Sequence, residues 1–126
     1  MPIVRIESSV PLPAQTTLTE ALSAVADCIV RRLEVKPVQA RVAFVALDAA
    51  AVSVAGKHGV DAPPYIVAWA SILEGRPEEK RAAFVAELLE VLGRVYRVDE
   101  SVVRVLVQDF PSVHWGIGRA TATAKG

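Results

Sequence analysis

Residues 65–107 read YIVAWASILEGRPEEKRAAFVAELLEVLGRVYRVDESVVRVLV, and this stretch decides the fold. The apolar run Tyr65–Leu73 predicts a strand, which the turn 74–76 ends. Pro77 suits the first position of a helix, where its missing N–H costs no hydrogen bond. Val102–Val107 predicts a second strand. Between them, apolar residues recur at helical spacing. The apolar side chains of this helix are Phe84, Leu88, Val91, Leu92 and Val95.

The amino-terminal half has the same order of elements. Pro2–Ser8 alternates apolar and polar residues, which predicts a half-buried strand. Thr17 and Glu20 have the spacing of a capping box and predict a helix over residues 17–33. Arg41–Leu47 predicts a second buried strand. The apolar residues of the helix are Leu18, Leu22, Val25, Ile29 and Leu33.

The chain therefore contains strand, helix and strand twice. We expect a single domain over 1–126, with repeats 2–48 and 65–126 joined by a connector, 49–64, that holds a short hairpin strand near Val52–Val54. Each crossover helix makes its two strands parallel. The predicted class is α/β (α+β), a four-stranded mixed sheet with both helices on one face. The other face is expected to be uncovered and apolar, and a closed cyclic oligomer would bury it.

Composition excludes several classes of function. The 126 residues are 52% hydrophobic, with 14 basic and 14 acidic residues, so no basic field points to nucleic acid. No apolar run is long enough to span a membrane. The single Cys28 fits a reducing compartment, and together with the absence of a signal-peptide pattern it predicts a cytoplasmic protein. No cluster has metal-ligand spacing, so neither a metal nor a cofactor is expected.

Three short motifs carry a resemblance to a known family. They are ILEGRPEEKR (72–81), VRVLV (103–107) and HWGIG (114–118). Residues 66–126 resemble one whole short subunit of 4-oxalocrotonate tautomerase, and the first half is a weaker copy of it. The chain is similar to the fused, double-length members of the tautomerase superfamily. This resemblance implies a tautomerase fold and a homotrimer in which subunits share the active sites.

The resemblance also implies a proton-transferring isomerase that acts on an enol or a 2-hydroxydienoate. Pro2 would be the general base after removal of Met1. Arg76 would hold one carboxylate of an anionic substrate, and Arg104, or its repeat counterpart Arg41, the other end. The aromatic wall would be Trp115, with Leu73 beside it.

The chemistry agrees with these residue types. An amino-terminal proline carries an ionisable secondary amine, whereas an internal proline carries none. Burial and neighbouring arginines lower the pKa of such an amine, which makes it a competent base near neutral pH. Ile66 stands where the second repeat would need its proline, so we expect one catalytic site in each chain.

Two other activities of the superfamily are alternatives, as is a non-enzymatic role. The 3-chloroacrylate dehalogenases carry an additional arginine where Leu73 stands. Malonate semialdehyde decarboxylase shares the Trp-x-x-Gly-Arg tail at 115–119 but has an aspartate where Gln39 stands. An interaction protein on this fold is the third alternative, and retained Met1 would favour it.

The remaining polar residues have simpler interpretations. We expect His58 and His114 to be structural or on the surface, and Cys28 to be buried and inert. Arg104 lies in an apolar strand and needs a partner, either a carboxylate such as Asp109 or the substrate.

Overall fold

The structure, a computed structural model, describes residues 1–122. Its strands are β1 (Ile3–Ser8), β2 (Arg41–Ala46), β3 (Ser53–Val54), β4 (Lys57–His58), β5 (Ile66–Leu73), β6 (Val103–Phe110), β7 (Gly116–Ile117) and β8 (Ala120–Thr121), and its helices are α1 (Leu18–Leu33) and α2 (Glu78–Tyr96). The last residues of the predicted second repeat, 123–126, lie outside the described part. Neither helix there is long and apolar enough to cross a membrane.

The four long strands form one mixed sheet in the order β2-β1-β5-β6. The outer pairs, β1 with β2 and β5 with β6, are parallel, as crossover helices require. The central pair, β1 with β5, is antiparallel, with Ile3 opposite Ser71 and Glu7 opposite Val67. The predicted fold class is therefore confirmed.

The hydrophobic core lies between the sheet and the two helices. Alternate residues of β1 and β5 point into it, while α1 and α2 contribute one apolar stripe each. The largest fully buried side chains include Ile6, Ile29, Ile66, Ile72, Phe84, Leu88 and Leu92.

The helix starts follow the predicted chemistry, with two corrections. The Thr17 hydroxyl accepts the N–H of Glu20 at 3.1 Å, and the Glu20 carboxylate accepts the N–H of Thr17, which is the predicted capping box. Leu18, predicted on the apolar stripe, is 53% exposed, and the buried stripe of α1 begins at Ala21. Pro77 occupies the N-cap rather than the first helical position.

The connector contains the expected hairpin. Strands β3 and β4 pair antiparallel through a two-residue turn in which Ala55 and Gly56 both have positive φ, 54° and 78°. Turns of this kind match the right-handed twist of paired strands. A second small hairpin, β7–β8, follows β6 and turns at Gly118, whose φ is 62°.

The sheet face away from the helices, called the open face here, is not covered by any element of residues 1–122. Its residues are Ile3, Arg5, Glu7, Arg41, Ala43, Val45, Val67, Trp69, Ser71, Arg104, Leu106 and Gln108. It was expected to be apolar, and that expectation is wrong at the centre. Arg5 and Glu7 lie on the central strand β1, because the alternation that buries Val4 and Ile6 directs them to the open face.

Glu87 ties the two helices together on their outer surface. Its carboxylate accepts hydrogen bonds from Arg31 at 2.9 Å and Arg32 at 2.8 Å, both on the last turn of α1. The Arg31 hydrogen bond is the largest cause that lowers the pKa of Glu87, to about 2. Burial, followed by a hydrogen bond to Glu87, raises the pKa of the Cys28 thiol to about 12. Cys28 is therefore buried, as expected, and its thiol stays protonated at neutral pH.

Replacing Glu87 by Gln should lower the free energy of unfolding at pH 7 by about 1 kcal/mol, because α1 loses its ionic link to α2. A depressed carboxyl pKa stabilises the fold above the ordinary value near 4.3, and this contribution disappears as the pH falls towards about 2. Urea unfolding from pH 7 to pH 2 checks this, with Glu90→Gln, an exposed position on the same helix, as the control. A stability difference that stays constant across that pH range would contradict the assignment.

Candidate active site

The amino terminus lies at the edge of the open face. Pro2 is fully buried immediately before β1, and its carbonyl accepts the N–H of Arg41 at 3.1 Å. Arg41 begins β2 and pairs with Ile3, so the strand register brings its side chain next to the start of the chain. Pro2 and Arg41 are therefore neighbours in every copy of the chain.

A groove of about 380 Å³ opens beside Met1, and we call it the amino-terminal groove. It lies between the beginnings of β1 and β2 and the β7–β8 hairpin. The residues that line it are Met1, Ile3, Val38, Gln39, Arg41, Trp115, Gly116, Ile117 and Gly118. Arg41 is the one charged side chain among them, so the groove has a cationic side and an apolar side.

Arg76 approaches the same end from the turn after β5. Its guanidinium donates to the Leu33 carbonyl at 3.2 and 3.4 Å and to the Leu73 carbonyl at 3.1 Å. It thus caps the carboxyl end of α1 and joins it to the end of β5. Burial and then the charge of Arg76 lower the pKa of the terminal amine, which is that of Met1 in this structure. A lowered amine pKa favours the free base that proton abstraction needs.

One aromatic ring, that of Trp115, lines the groove, and the ring of Phe110 packs against it. Trp115 is half-buried beside β7, and its ring meets that of Phe110 edge to face at 5.8 Å. Phe110 pairs with Leu73 across the β5–β6 ladder, which brings Leu73 to the same end of the sheet. The predicted residues Trp115 and Leu73 therefore lie on the amino-terminal side of the molecule.

Arg104 lies at the opposite end of the sheet. It pairs with Val67, whereas Gln108, four residues further along β6, is in the row of Ser71 and Ile3. Because a strand rises ~3.3 Å per residue, Arg104 is about 13 Å from that row along the strand direction. One chain thus brings Pro2, Arg41, Arg76, Leu73 and Trp115 to one end and Arg104 to the other.

Of the two kinds of partner expected for Arg104, a carboxylate such as Asp109 or the substrate, Asp109 is ruled out. The residues are five apart on one strand and therefore point to opposite faces of the sheet. Asp109 instead accepts from Arg81 of α2 at 2.7 Å. The exposed Arg104 donates to the carbonyls of Ser101 at 2.7 Å and Val103 at 3.1 Å.

The sequence reasoning missed the contributions of Val38 and Phe110. Val38 is in the short 3₁₀ turn Pro37–Gln39, where Pro37 in the sequence indicates only the end of a helical region. Phe110 was missed because the second strand was predicted to stop at Val107, whereas β6 continues to Phe110. The aromatic Phe110 at an alternating position was the available signal for a longer strand.

These features define a class of protein: two β-α-β repeats in one sheet, with the amino terminus in an arginine-lined groove. Comparisons with known proteins identify this class. A family model for tautomerase enzymes matches residues 70–124. The 2-hydroxymuconate tautomerase of Stutzerimonas stutzeri is 37% identical over 60 residues, which make up 95% of that protein and 48% of this chain. The 2-hydroxymuconate tautomerase of Pseudomonas putida is 35% identical over 82% of its length and 41% of this chain.

Solved structures match nearly the whole chain. Native fused 4-OT has a TM-score of 0.84 and 27% identity over 97% of both chains. The crystal structure of Pt0534 inactivated by 2-oxo-3-pentynoate has a TM-score of 0.89 and 28% identity over 98% of both chains. The chain belongs to the tautomerase family, as a double-length, fused 4-OT-like member with tautomerase activity.

Replacing Arg76 by Ala should raise the pKa of the terminal amine, since burial would remain and the neighbouring positive charge would be lost. An NMR titration of the amine in the full chain measures this pKa. Arg94→Ala, which removes an exposed arginine of α2, is the matched control. An amine pKa that is the same in the Arg76 variant and in the parent chain would show that Arg76 does not act on the amine.

Proposed function

We propose that the chain converts an enol or 2-hydroxydienoate to its 2-keto acid form, with Pro2 as the general base. After Met1 is removed, the Pro2 nitrogen accepts the proton of the enol hydroxyl and returns a proton to a distal carbon of the substrate. The double bond moves, and no oxidant or other reactant is needed. A cytoplasmic location, inferred from the sequence, belongs to the same proposal.

The observation that carries the proposal is the environment of the terminal amine. It lies at the mouth of a groove, it is partly buried, and Arg76 is close enough to lower its pKa. Removal of Met1 would transfer this amine to Pro2, which is more deeply buried. A desolvated secondary amine near a guanidinium is a neutral base at physiological pH.

The arginines bind the anionic ends of the substrate. Arg41 lies in the groove of the same chain, and Arg76 is near enough to the amine for its charge to lower the pKa of the amine. Hydrogen bonds to two backbone carbonyls already hold the Arg76 guanidinium in position. A substrate carboxylate would compete with these carbonyls for its N–H groups. Arg104 is far from Pro2 in its own chain, and we propose that it reaches the groove from a neighbouring copy. There it would stabilise charge on the carbonyl or enol oxygen.

Trp115 and Leu73 are proposed to form the apolar side of the site. The edge-to-face contact with Phe110 holds the Trp115 ring against the end of β6. An apolar wall beside the amine excludes water and disfavours the ammonium form. Among residues 1–122, the groove is lined by neither aspartate nor glutamate. With no carboxylate to activate water, the groove favours proton shuttling over the dehalogenase alternative.

A homotrimer is proposed for the assembly. The open face leaves Ile3, Val45, Trp69 and Leu106 between 37% and 45% exposed, and association would remove them from water. Two solved fused 4-OT proteins that share the fold, at 23% and 24% identity, are trimers. A cyclic arrangement gives each groove an equivalent neighbour, which a shared site requires.

Replacing Pro2 by Ala should lower kcat/KM by about 100-fold or more, because it exchanges the ring-held secondary amine, the proposed general base, for the primary amine of an amino-terminal alanine. Ultraviolet absorbance follows turnover of 2-hydroxymuconate and phenylenolpyruvate, and Pro11→Ala is the control for loss of a proline elsewhere. Malonate semialdehyde and 3-chloroacrylate are assayed in parallel, and faster turnover of either would favour that alternative. Unchanged enol turnover in the Pro2 variant would refute the assignment of the base.

Mixing two inactive variants tests whether the site is shared. Refolding Pro2→Ala chains with Arg104→Ala chains should restore activity, because some sites then combine an intact Pro2 with an intact Arg104 from the neighbour. Random mixing in equal amounts restores about a quarter of the sites. The matched mixture of Pro2→Ala with Arg41→Ala should stay inactive, since Pro2 and Arg41 belong to one chain. Recovery in the second mixture but not in the first would mean that Arg104 acts in the chain that supplies Pro2 and that Arg41 comes from the neighbour.

A further inference from the structure

A polar cluster lies at the centre of the open face. Arg5 pairs with Trp69 across the antiparallel β1–β5 ladder, and Glu7 follows on the same face of β1. The indole Nε1 of Trp69 donates to the Glu7 carboxylate at 2.7 Å. The other carboxylate oxygen of Glu7 lies 3.6 Å from Nε of Arg5. The Arg5 guanidinium is 5.9 Å from the centre of the Trp69 ring, so all three side chains contact one another.

Apolar residues surround this cluster on the same face. Leu106 pairs with Trp69 on one side, and Ile3 is one row away on β1. They are 45% and 43% exposed, while the side chain of Arg5 is 53% exposed. The centre of the face thus contains one positive and one negative group, already paired, with the apolar side chains of Ile3 and Leu106 beside them. An interface with a charge-neutral, hydrogen-bonded centre can be buried without leaving an unpaired charge.

We propose that Arg5, Glu7 and Trp69 form the polar centre of the contact between copies of this chain and determine how the copies are oriented. The inference rests on the proposed trimer and adds the residues that specify it. The occupant of the face is a second copy, because the cluster is self-complementary: each copy presents both a guanidinium and a carboxylate. A purely apolar face would associate in several orientations, whereas directional hydrogen bonds and charges favour one.

This orientation matters for catalysis. Arg104 is in the row of Glu7 and Val67, on the same open face. A rotation of one copy about the cluster would move Arg104 relative to the neighbouring groove. The cluster is therefore a positioning element for the shared site and does not contact the substrate itself.

A charge exchange between Arg5 and Glu7 tests the inference. Arg5→Glu and Glu7→Arg are made singly and together in the full chain, and sedimentation velocity gives the concentration at which the assembly dissociates. Each single variant places like charges two residues apart on one face and should raise that concentration by about tenfold or more. The double variant restores an opposite pair but leaves the Trp69 indole without its carboxylate acceptor. It should therefore recover to the several-fold loss expected when that hydrogen bond alone is removed. Arg94→Glu, a charge reversal on α2, should have no effect.

Trp69→Phe provides a second measurement that does not change charge. It keeps most of the apolar area but removes the indole donor to Glu7, and it should weaken assembly several-fold. Circular dichroism identifies any variant that fails to fold. If Trp69→Phe fails to fold, the charge exchange between Arg5 and Glu7 still tests the inference. The inference is overturned if the single variants assemble as tightly as the parent, or if the double variant is no better than the single ones.

The outcome is separable from that of the proposed function. If Pro2→Ala leaves turnover unchanged while the charge exchange behaves as expected, only the catalytic assignment is lost. If the parent chain is monomeric yet its turnover depends on Pro2, the polar centre is wrong and the base is retained.

Discussion

The antiparallel pairing of β1 with β5 is the constraint on which the rest of the molecule depends. It joins two β-α-β units into one sheet, so both helices share a single core. Its register, with Ile3 opposite Ser71, brings the amino terminus to the end of β5. There the turn that carries Arg76 meets the carboxyl end of α1. A slip of one residue would direct Arg5 and Glu7 into the core and Val4 and Ile6 into water.

The same pairing makes the two ends of the sheet similar but unequal. Each end has the start of a central strand, an arginine on the adjacent outer strand and a small hairpin nearby. Arg41 and the β7–β8 hairpin lie at the end that has the free amine. Arg104 and the β3–β4 hairpin border a second pocket at the other end, where Ile66 is internal to the chain. A chain of two fused repeats therefore has this arrangement of strand, arginine and hairpin at both ends of the sheet, but it has a terminal amine at one of them.

Much of this could be predicted from local patterns. Alternation in β1, helical spacing in α2 and the capping box at Thr17 depend on neighbouring residues, so their boundaries were nearly right. Contacts across the sheet could not be predicted in the same way. The partner of Asp109 depends on which face of β6 it occupies, and the Glu7–Trp69 hydrogen bond joins residues far apart in sequence. The location of Arg104 relative to Pro2 follows only when the order of all four strands is known.

The central claim is that the amine of Pro2 performs the chemistry, and this requires that Met1 be absent from the active protein. Intact-mass spectrometry of the purified chain, combined with its turnover of an enol substrate, tests this most directly. We expect the active population to begin at Pro2, and chains blocked by a retained Met1 to be inactive. Equal turnover by a population that keeps Met1 would contradict it, because the proline nitrogen would then be an amide and could not accept a proton.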